Sequence, residues 1–176
     1  MSENIEIERR FLLTDIPDIN YKAIIRITQN YKSDFPERIR KEELFLKPKK
    51  PFFNFFLNKE PVLRFEHTKK TPIQEGVVEH NQSISESDYN NLIKKFPCSI
   101  KKIRHIKPCT LNTGLIWEID DFSCHNTESP KLVIAEIEVP SLNYKVKIPK
   151  WLERKIVKEI TGEDCFSNFS LSKLEK

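Results

Sequence analysis

Hydrophobic and polar residues alternate along most of this chain, and such alternation is typical of β-strands with one buried face. The segment near the N-terminus shows it clearly, because Glu6, Glu8 and Arg10 share one face of the predicted strand while Ile5 and Ile7 share the other. The two carboxylates then stand roughly 6–7 Å apart along the strand. Two like charges held so close favour a bound cation.

Same-sign pairs at this spacing recur on the polar faces of other predicted strands, opposite faces that are largely apolar. The acidic pairs are Glu6 and Glu8, Glu118 and Asp120, and Glu136 and Glu138; the basic pairs are Arg38 and Arg40, and Lys102 and Arg104. A solvated surface profits from mixed signs, so segregated pairs indicate a ligand. Carboxylates suit Mg²⁺ or Mn²⁺, and arginine and lysine suit phosphate oxygens, so the pattern predicts a site for a metal and a polyphosphate.

A short helix followed by a strand is predicted over residues 21–31. The period changes from two to that of a helix in two further places. Ser85 and Asp88 form a pattern like a capping box, apolar residues from Tyr89 onward follow at helical spacing, and Pro97 ends the segment. A second helix is predicted over residues 149–160, where it would cover the sheet.

Composition favours one globular domain over residues 1–176, with 38% hydrophobic and 32% charged residues. The net charge of +4 gives no global field for a nucleic acid or a membrane, so neither is an expected partner. Residues 47–61, KPKKPFFNFFLNKEP, form an irregular insert in the strand pattern. We expect this insert to form a hairpin or flap; the alternative is a grip on single-stranded nucleic acid or a membrane surface.

Several kinds of site are excluded or disfavoured. Three glycines leave no Walker loop or GxGxxG turn, so phosphate must be bound by side chains. The four cysteines show no CxxC pair and are expected to be reduced thiols. The N-terminus lacks an apolar signal region, and no apolar stretch reaches the ~20 residues of a membrane span, so a soluble, cytoplasmic protein is expected. No Ser/His/Asp or Cys/His grouping predicts a covalent intermediate.

Several segments together resemble the CYTH domain of the triphosphate tunnel metalloenzymes. They are Glu6-Ile7-Glu8-Arg9-Arg10-Phe11-Leu12, Arg38-Ile39-Arg40, Lys102-Ile103-Arg104, Trp117-Glu118-Ile119-Asp120, Ala135-Glu136-Ile137-Glu138-Val139-Pro140 and Glu159-Ile160-Thr161-Gly162. The resemblance runs nearly end to end, outside the insert. Two positions depart from it: Arg10 replaces the lysine of the family's ExExK signature, and Asn81 stands where members often carry a glutamate.

The resemblance implies an α+β fold, an eight-stranded antiparallel β-barrel with flanking helices, whose charged strand faces line a tunnel. It also implies roles for individual residues. One or two Mg²⁺ or Mn²⁺ ions would be bound by Glu6, Glu8, Glu118, Asp120, Glu136 and Glu138, and the phosphates by Arg10, Arg38, Arg40, Lys70, Lys102 and Arg104. The residues expected to be catalytic are Glu6, Glu8, Arg10, Lys70 and Glu138.

The implied activity is metal-dependent hydrolysis of a phosphoanhydride bond in a small molecule that bears a triphosphate. Inorganic tripolyphosphate is the favoured substrate, because the sequence shows no motif for recognising a base or thiamine. Thiamine triphosphatase, class IV adenylate cyclase acting on ATP and RNA 5′-triphosphatase are the alternatives within the family. Outside it, the chain would be a polyphosphate-binding module without catalysis, or a structural protein with solvated charged strands. A monomer or homodimer is expected.

Overall fold

The computed structural model describes residues 5–33, 37–46, 60–73, 76–125, 131–141 and 143–174. Most of the predicted insert at 47–61 lies outside these ranges, so its expected hairpin stays a prediction. None of the helices in the described ranges is long and apolar enough to cross a membrane. All four cysteines are free, as the sequence predicts.

The described residues form ten strands, and every paired neighbour is antiparallel. The strands are β1 (Ile5–Glu6), β2 (Glu8–Leu13), β3 (Ala23–Tyr31), β4 (Glu37–Leu46), β5 (Val62–Ile73), β6 (Gly76–Ser83), β7 (Cys98–Pro108), β8 (Ile116–Asp121), β9 (Val133–Glu138) and β10 (Ile156–Glu159). Their order in the sheet is β1-β6-β5-β4-β3-β7-β8-β9-β2-β10. The predicted antiparallel sheet is therefore confirmed.

The predicted closure into an eight-stranded barrel is not observed, since the paired order has ends at β1 and β10. The reason lies at Ile7, which separates β1 from β2. On one side of it β1 pairs with β6, and on the other side β2 pairs with β9. The carbonyl of Ile7 itself accepts a hydrogen bond of 2.8 Å from the amide of Val139. The N-terminal segment thus lies beside β6 at one end and β9 at the other without one continuous ladder.

The short helix predicted at the start of residues 21–31 is wrong, because β3 occupies Ala23–Tyr31 and pairs with strands on both sides. Of the other two predicted helices, one forms as expected. Helix α1 (Glu86–Leu92) begins where the Asp88 amide donates to the Ser85 hydroxyl at 3.0 Å, and a 3₁₀ turn (Ile93–Lys95) continues it toward Pro97. The helix prediction for 149–160 is wrong beyond its first turn. There α2 (Lys150–Glu153) is followed by β10, because the edge of β2 offers backbone partners from Phe11 to Leu13. A third short helix, α3 (Asn168–Leu171), lies near the C-terminus.

The apolar and charged faces of the strands have different neighbours. On β2, β8 and β9 the apolar face packs under residues 144–152, and Trp117 is fully buried there against Phe11 and Trp151. On β4 and β5 the apolar face packs under α1 through Tyr89. Burial of one face in this way leaves the charged face of each strand on the other side of the sheet.

His105, on the apolar face of β7, gives the fold a sensitivity to acid. Its side chain is 4% exposed and stacks on Tyr21 with ring centroids 4.8 Å apart. Burial lowers the pKa of His105 to about 4. Between pH 6.5 and 4 the unfolded chain therefore binds a proton that the folded chain does not, and the free energy of unfolding falls as the pH falls.

We predict that, between pH 7 and 4.5, the free energy of unfolding falls by about 2 kcal/mol less in His105→Phe than in wild type. Urea unfolding at both pH values measures it, with the exposed His80→Gln as the matched control. An equal loss in wild type and in His105→Phe would contradict the buried, neutral imidazole.

Candidate active site

The charged strand faces surround one large cavity of about 1390 Å³. Eleven of the twelve residues that the sequence analysis assigns to a site line it. They are Glu6, Glu8, Arg10, Arg38, Arg40, Lys70, Lys102, Arg104, Glu118, Glu136 and Glu138. The structure therefore brings residues from seven strands to one space.

The twelfth predicted residue, Asp120, lies beneath the cavity wall and is fully buried. Its two oxygens are engaged by cations of the neighbouring strand: Arg104 donates to both, each at 2.7 Å, and the Lys102 ammonium donates to one. Burial alone would raise the pKa of Asp120, but Arg104 and Lys102 hold it well below its usual range. Asp120 is thus an anchor that fixes two cations in the wall, rather than a group with a free oxygen.

Arg104 is the centre of this cluster. Beyond Asp120, its guanidinium donates to Glu136 at 2.7 Å and to Glu118. Burial opposes its charge, but the surrounding carboxylates raise the pKa of Arg104 well above the ordinary value. A fork that serves three carboxylates from two strands is held in one orientation.

A second cluster is built around Lys70, whose ammonium donates to Glu6 at 3.0 Å and contacts Glu79. Glu79 also lies 3.5 Å from Arg38. Burial would raise the pKa of Glu79, yet Arg38 and Lys70 lower it to about 2. The sequence analysis did not assign Glu79 to the site, because its position directly opposite Lys70 follows only from the pairing register of β5 and β6.

The third cluster contains residues that the sequence analysis also missed. Arg40 donates to Glu66 at 2.8 Å, and its Nε lies 3.1 Å from Glu42. The predicted basic pair of Arg38 and Arg40 is therefore divided, since the two side chains share a face but contact different carboxylates. The alternation of Glu42 with Arg40 on β4, and of Glu66 with Arg64 on β5, was a signal in the sequence for this arrangement.

Three carboxylates of the cavity have raised pKa values. Burial is the largest cause in each case: it raises the pKa of Glu6 to about 7 and that of Glu136 to about 8, and it raises the pKa of Glu138. Like charges add to the effect, because Asp120 and Glu8 raise the pKa of Glu136, and Glu118 and Glu8 raise that of Glu138. A cation among these groups would lower the free energy of their charged forms.

The balance of charge points the same way. Among the described residues that line the cavity, nine are carboxylates and seven are cations. The carboxylates are Glu6, Glu8, Glu42, Glu66, Glu79, Glu118, Glu136, Glu138 and Asp164, and the cations are Arg10, Arg38, Arg40, Arg64, Lys70, Lys102 and Arg104. An anion entering such a site gains most when cations enter with it.

Oxygen donors of this kind fit a hard divalent cation. Within the described ranges, however, no three Asp, Glu, His or Cys side chains are grouped as a metal site. The reason is visible in the clusters above, where the carboxylates turn toward arginine and lysine. Their donor chemistry fits Mg²⁺ or Mn²⁺, and ligation requires them to leave these partners.

The C-terminal segment covers one end of the cavity, and the sequence analysis placed no site residue in it. Arg10 donates to the carbonyls of Phe166 at 3.3 Å and Glu163 at 3.5 Å, and Lys102 donates to the Asn168 side chain at 3.4 Å. Leu171 packs on the apolar continuation of the same strand faces. Two of the predicted phosphate-binding cations are therefore also held by this segment.

We predict that Asp120→Asn lowers the free energy of unfolding by about 3–5 kcal/mol, because it leaves Lys102 and Arg104 partly uncompensated in a buried place. Urea unfolding at pH 7 measures the change. Asp121→Asn is the matched control, since this neighbouring buried carboxylate accepts its hydrogen bonds from Ser123. Losses of equal size in the two variants would refute the anchoring role.

Comparisons with known proteins agree with this picture in part. No family model matches the sequence. An inorganic triphosphatase of Acetivibrio thermocellus is 35% identical over 83 residues, which cover 47% of this chain and only 49% of that protein. The crystal structure of an inorganic triphosphatase superposes with a TM-score of 0.56 at 19% identity, over 96% of this chain and 95% of that chain. A second crystal structure, of the same protein described as hypothetical, superposes with a TM-score of 0.55 at 20% identity. The superposition covers 95% of this chain and 96% of that chain. The chain shares the fold of that triphosphatase.

Proposed function

We propose that this chain is a divalent-metal-dependent triphosphatase and that inorganic tripolyphosphate is its substrate. The observation that carries the proposal is a cavity in which cations fixed by carboxylates stand beside carboxylates whose pKa is raised by burial. Two of the similar proteins described above are inorganic triphosphatases, which supports the same activity. We further propose that the chain is a CYTH domain whose cavity is the tunnel of that fold.

The cations give the site its affinity for phosphate. Arg104 and Lys102 are held by Asp120, while Arg38 and Lys70 share Glu79. Because these groups are oriented before substrate arrives, they stabilise charge that develops on the transferred phosphoryl group at little cost in reorganisation. Arg10, in place of the family lysine, presents a planar fork to the same space.

The carboxylates would hold one or two Mg²⁺ or Mn²⁺ ions. The proposed ligands that line the cavity are Glu6, Glu8, Glu118, Glu136 and Glu138. Bound there, the metal supplies a Lewis acid for phosphate oxygens and acidifies water. The burial that raises the pKa of Glu6, Glu136 and Glu138 also strengthens their interaction with a cation, because the local dielectric constant is low.

The test is orthophosphate release from tripolyphosphate, ATP and thiamine triphosphate in parallel, with Mg²⁺, with Mn²⁺ and without metal. We expect metal-dependent release that is fastest with tripolyphosphate. Cyclic AMP with pyrophosphate from ATP would instead show a cyclase. Tight binding of tripolyphosphate without turnover would show a binding module and overturn the proposed catalysis.

We predict that Glu138→Gln lowers the turnover number at least about 100-fold, since even loss of a group that orients a metal ligand costs about 10–100-fold. Glu138 is exposed at the end of β9, near Glu8 and Glu118, so its neutral replacement should leave the fold intact. The measurement is phosphate release, with circular dichroism to verify folding and the exposed Glu153→Gln as control. Wild-type turnover in Glu138→Gln would refute its assignment.

A further inference from the structure

The C-terminal segment that covers one end of the cavity contributes a polar side chain to the cavity lining, that of Asn168 in α3. Two contacts hold this short helix in place. The Ser170 amide donates to the Ser167 hydroxyl at 3.1 Å, and the Leu171 side chain is buried against the sheet. Asn168 therefore has a defined position before a ligand binds.

Lys102, which the sequence analysis assigns to phosphate, is almost inaccessible. Only 1% of its side chain is exposed. Its ammonium donates to Asp120 and, at 3.4 Å, to Oδ1 of Asn168. The centroid of the Phe122 ring lies 5.6 Å from the same ammonium. A phosphate could therefore contact Lys102 directly only if neighbouring side chains moved aside.

The contact with Lys102 also determines the orientation of the Asn168 side-chain amide. A lysine ammonium can only donate, so the amide oxygen faces it and Nδ2 faces elsewhere. Within the described ranges Nδ2 has no hydrogen-bond partner, and it is not among the buried unpaired atoms. Because Asn168 is half-buried and lines the cavity, its two N–H donors are open to a ligand there.

We propose that Asn168 is a substrate-binding residue whose Nδ2 donates a hydrogen bond to a phosphate oxygen of the triphosphate. The proposal rests on the proposed function in one respect, that the cavity binds a triphosphate. A hydrogen bond to a charged acceptor such as phosphate is roughly twice as strong as one between neutral groups. The Lys102 ammonium at the amide oxygen polarises the amide and strengthens its N–H donors further.

Arg10 adds a positive charge at the same end of the cavity. Its guanidinium donates to the carbonyls of Phe166 at 3.3 Å and Glu163 at 3.5 Å, and its Nε lies 3.4 Å from Glu8. In the described part of the chain these contacts occupy at most three of the five N–H bonds of the guanidinium, so at least two remain for phosphate. We therefore expect the phosphate at this end to contact both Arg10 and Asn168.

The experiment uses imidotriphosphate, a nitrogen-bridged analogue of tripolyphosphate that resists hydrolysis. Calorimetry on the full chain gives its dissociation constant with and without Mg²⁺, and phosphate release from tripolyphosphate gives kcat/KM. Asn168→Asp keeps an acceptor for Lys102 but removes the donor, and Asn168→Ala removes the whole amide. We expect each variant to raise the dissociation constant and to lower kcat/KM at least about tenfold, the usual effect of losing a hydrogen bond to a charged group.

Ser172→Ala is the matched control in the same segment. The buried Ser172 hydroxyl donates to the Phe169 carbonyl at 2.7 Å, and Ser172 does not line the cavity. Its substitution should lower the free energy of unfolding, which urea unfolding measures, and leave the dissociation constant unchanged. Equal weakening of binding in Ser172→Ala and Asn168→Ala would assign Asn168 a structural role and overturn the proposed hydrogen bond.

The remaining outcomes separate this hydrogen bond from the proposed function. Weaker binding in Asn168→Asp alone would show repulsion by the added charge and overturn the hydrogen bond. Unchanged binding in both variants overturns it as well, while the proposed function stands. The expected losses of affinity, without phosphate release by wild type, support the hydrogen bond and overturn the proposed hydrolysis. If wild type does not bind the analogue, with or without Mg²⁺, both are overturned.

Discussion

The buried ion cluster of Asp120 with Lys102 and Arg104 is the interaction on which the cavity depends. Three charges so close together are costly to bury unless each is paired, and here each oxygen of Asp120 has a cationic donor. Arg104 also pairs with Glu118 and Glu136, so the orientation of these two carboxylates depends on the same cluster. The result is a wall whose charges are fixed by one another before any ligand arrives.

This cluster explains why the site is organised but not assembled as a metal centre. The carboxylates that suit a divalent cation are occupied by arginine and lysine, while burial and like charges raise the pKa of Glu6 and Glu136. A metal and a triphosphate bound together would stabilise both sets of charged groups. The carboxylates would exchange arginine and lysine for the metal, and the arginines and lysines would exchange carboxylates for phosphate. A divalent cation and a triphosphate would therefore each strengthen the binding of the other.

Strand periodicity predicted much of this site, because a period of two fixes which residues share a face. Glu6 with Glu8 and Lys102 with Arg104 came to one cavity for that reason. Periodicity does not show which residues of neighbouring strands lie opposite each other. The contact of Arg104 with Asp120 and the position of Glu79 beside Lys70 therefore became known only from the pairing register. The helix expected over 149–160 failed for a related cause, since the backbone of β10 pairs with β2 and overrides local preference. The prediction of a closed barrel was wrong because strand pairing changes at Ile7, from β6 on one side to β9 on the other. The alternation of side chains does not indicate such a change of partner.

The most direct test of this interdependence is calorimetric titration of the wild-type chain with tripolyphosphate, in the presence of Mg²⁺ and after its removal by a chelator. The excess of carboxylates in the cavity predicts binding with Mg²⁺ that is strongly weakened without it. Equally tight binding in both conditions, or no binding in either, would contradict a cavity that takes up a triphosphate together with a divalent cation.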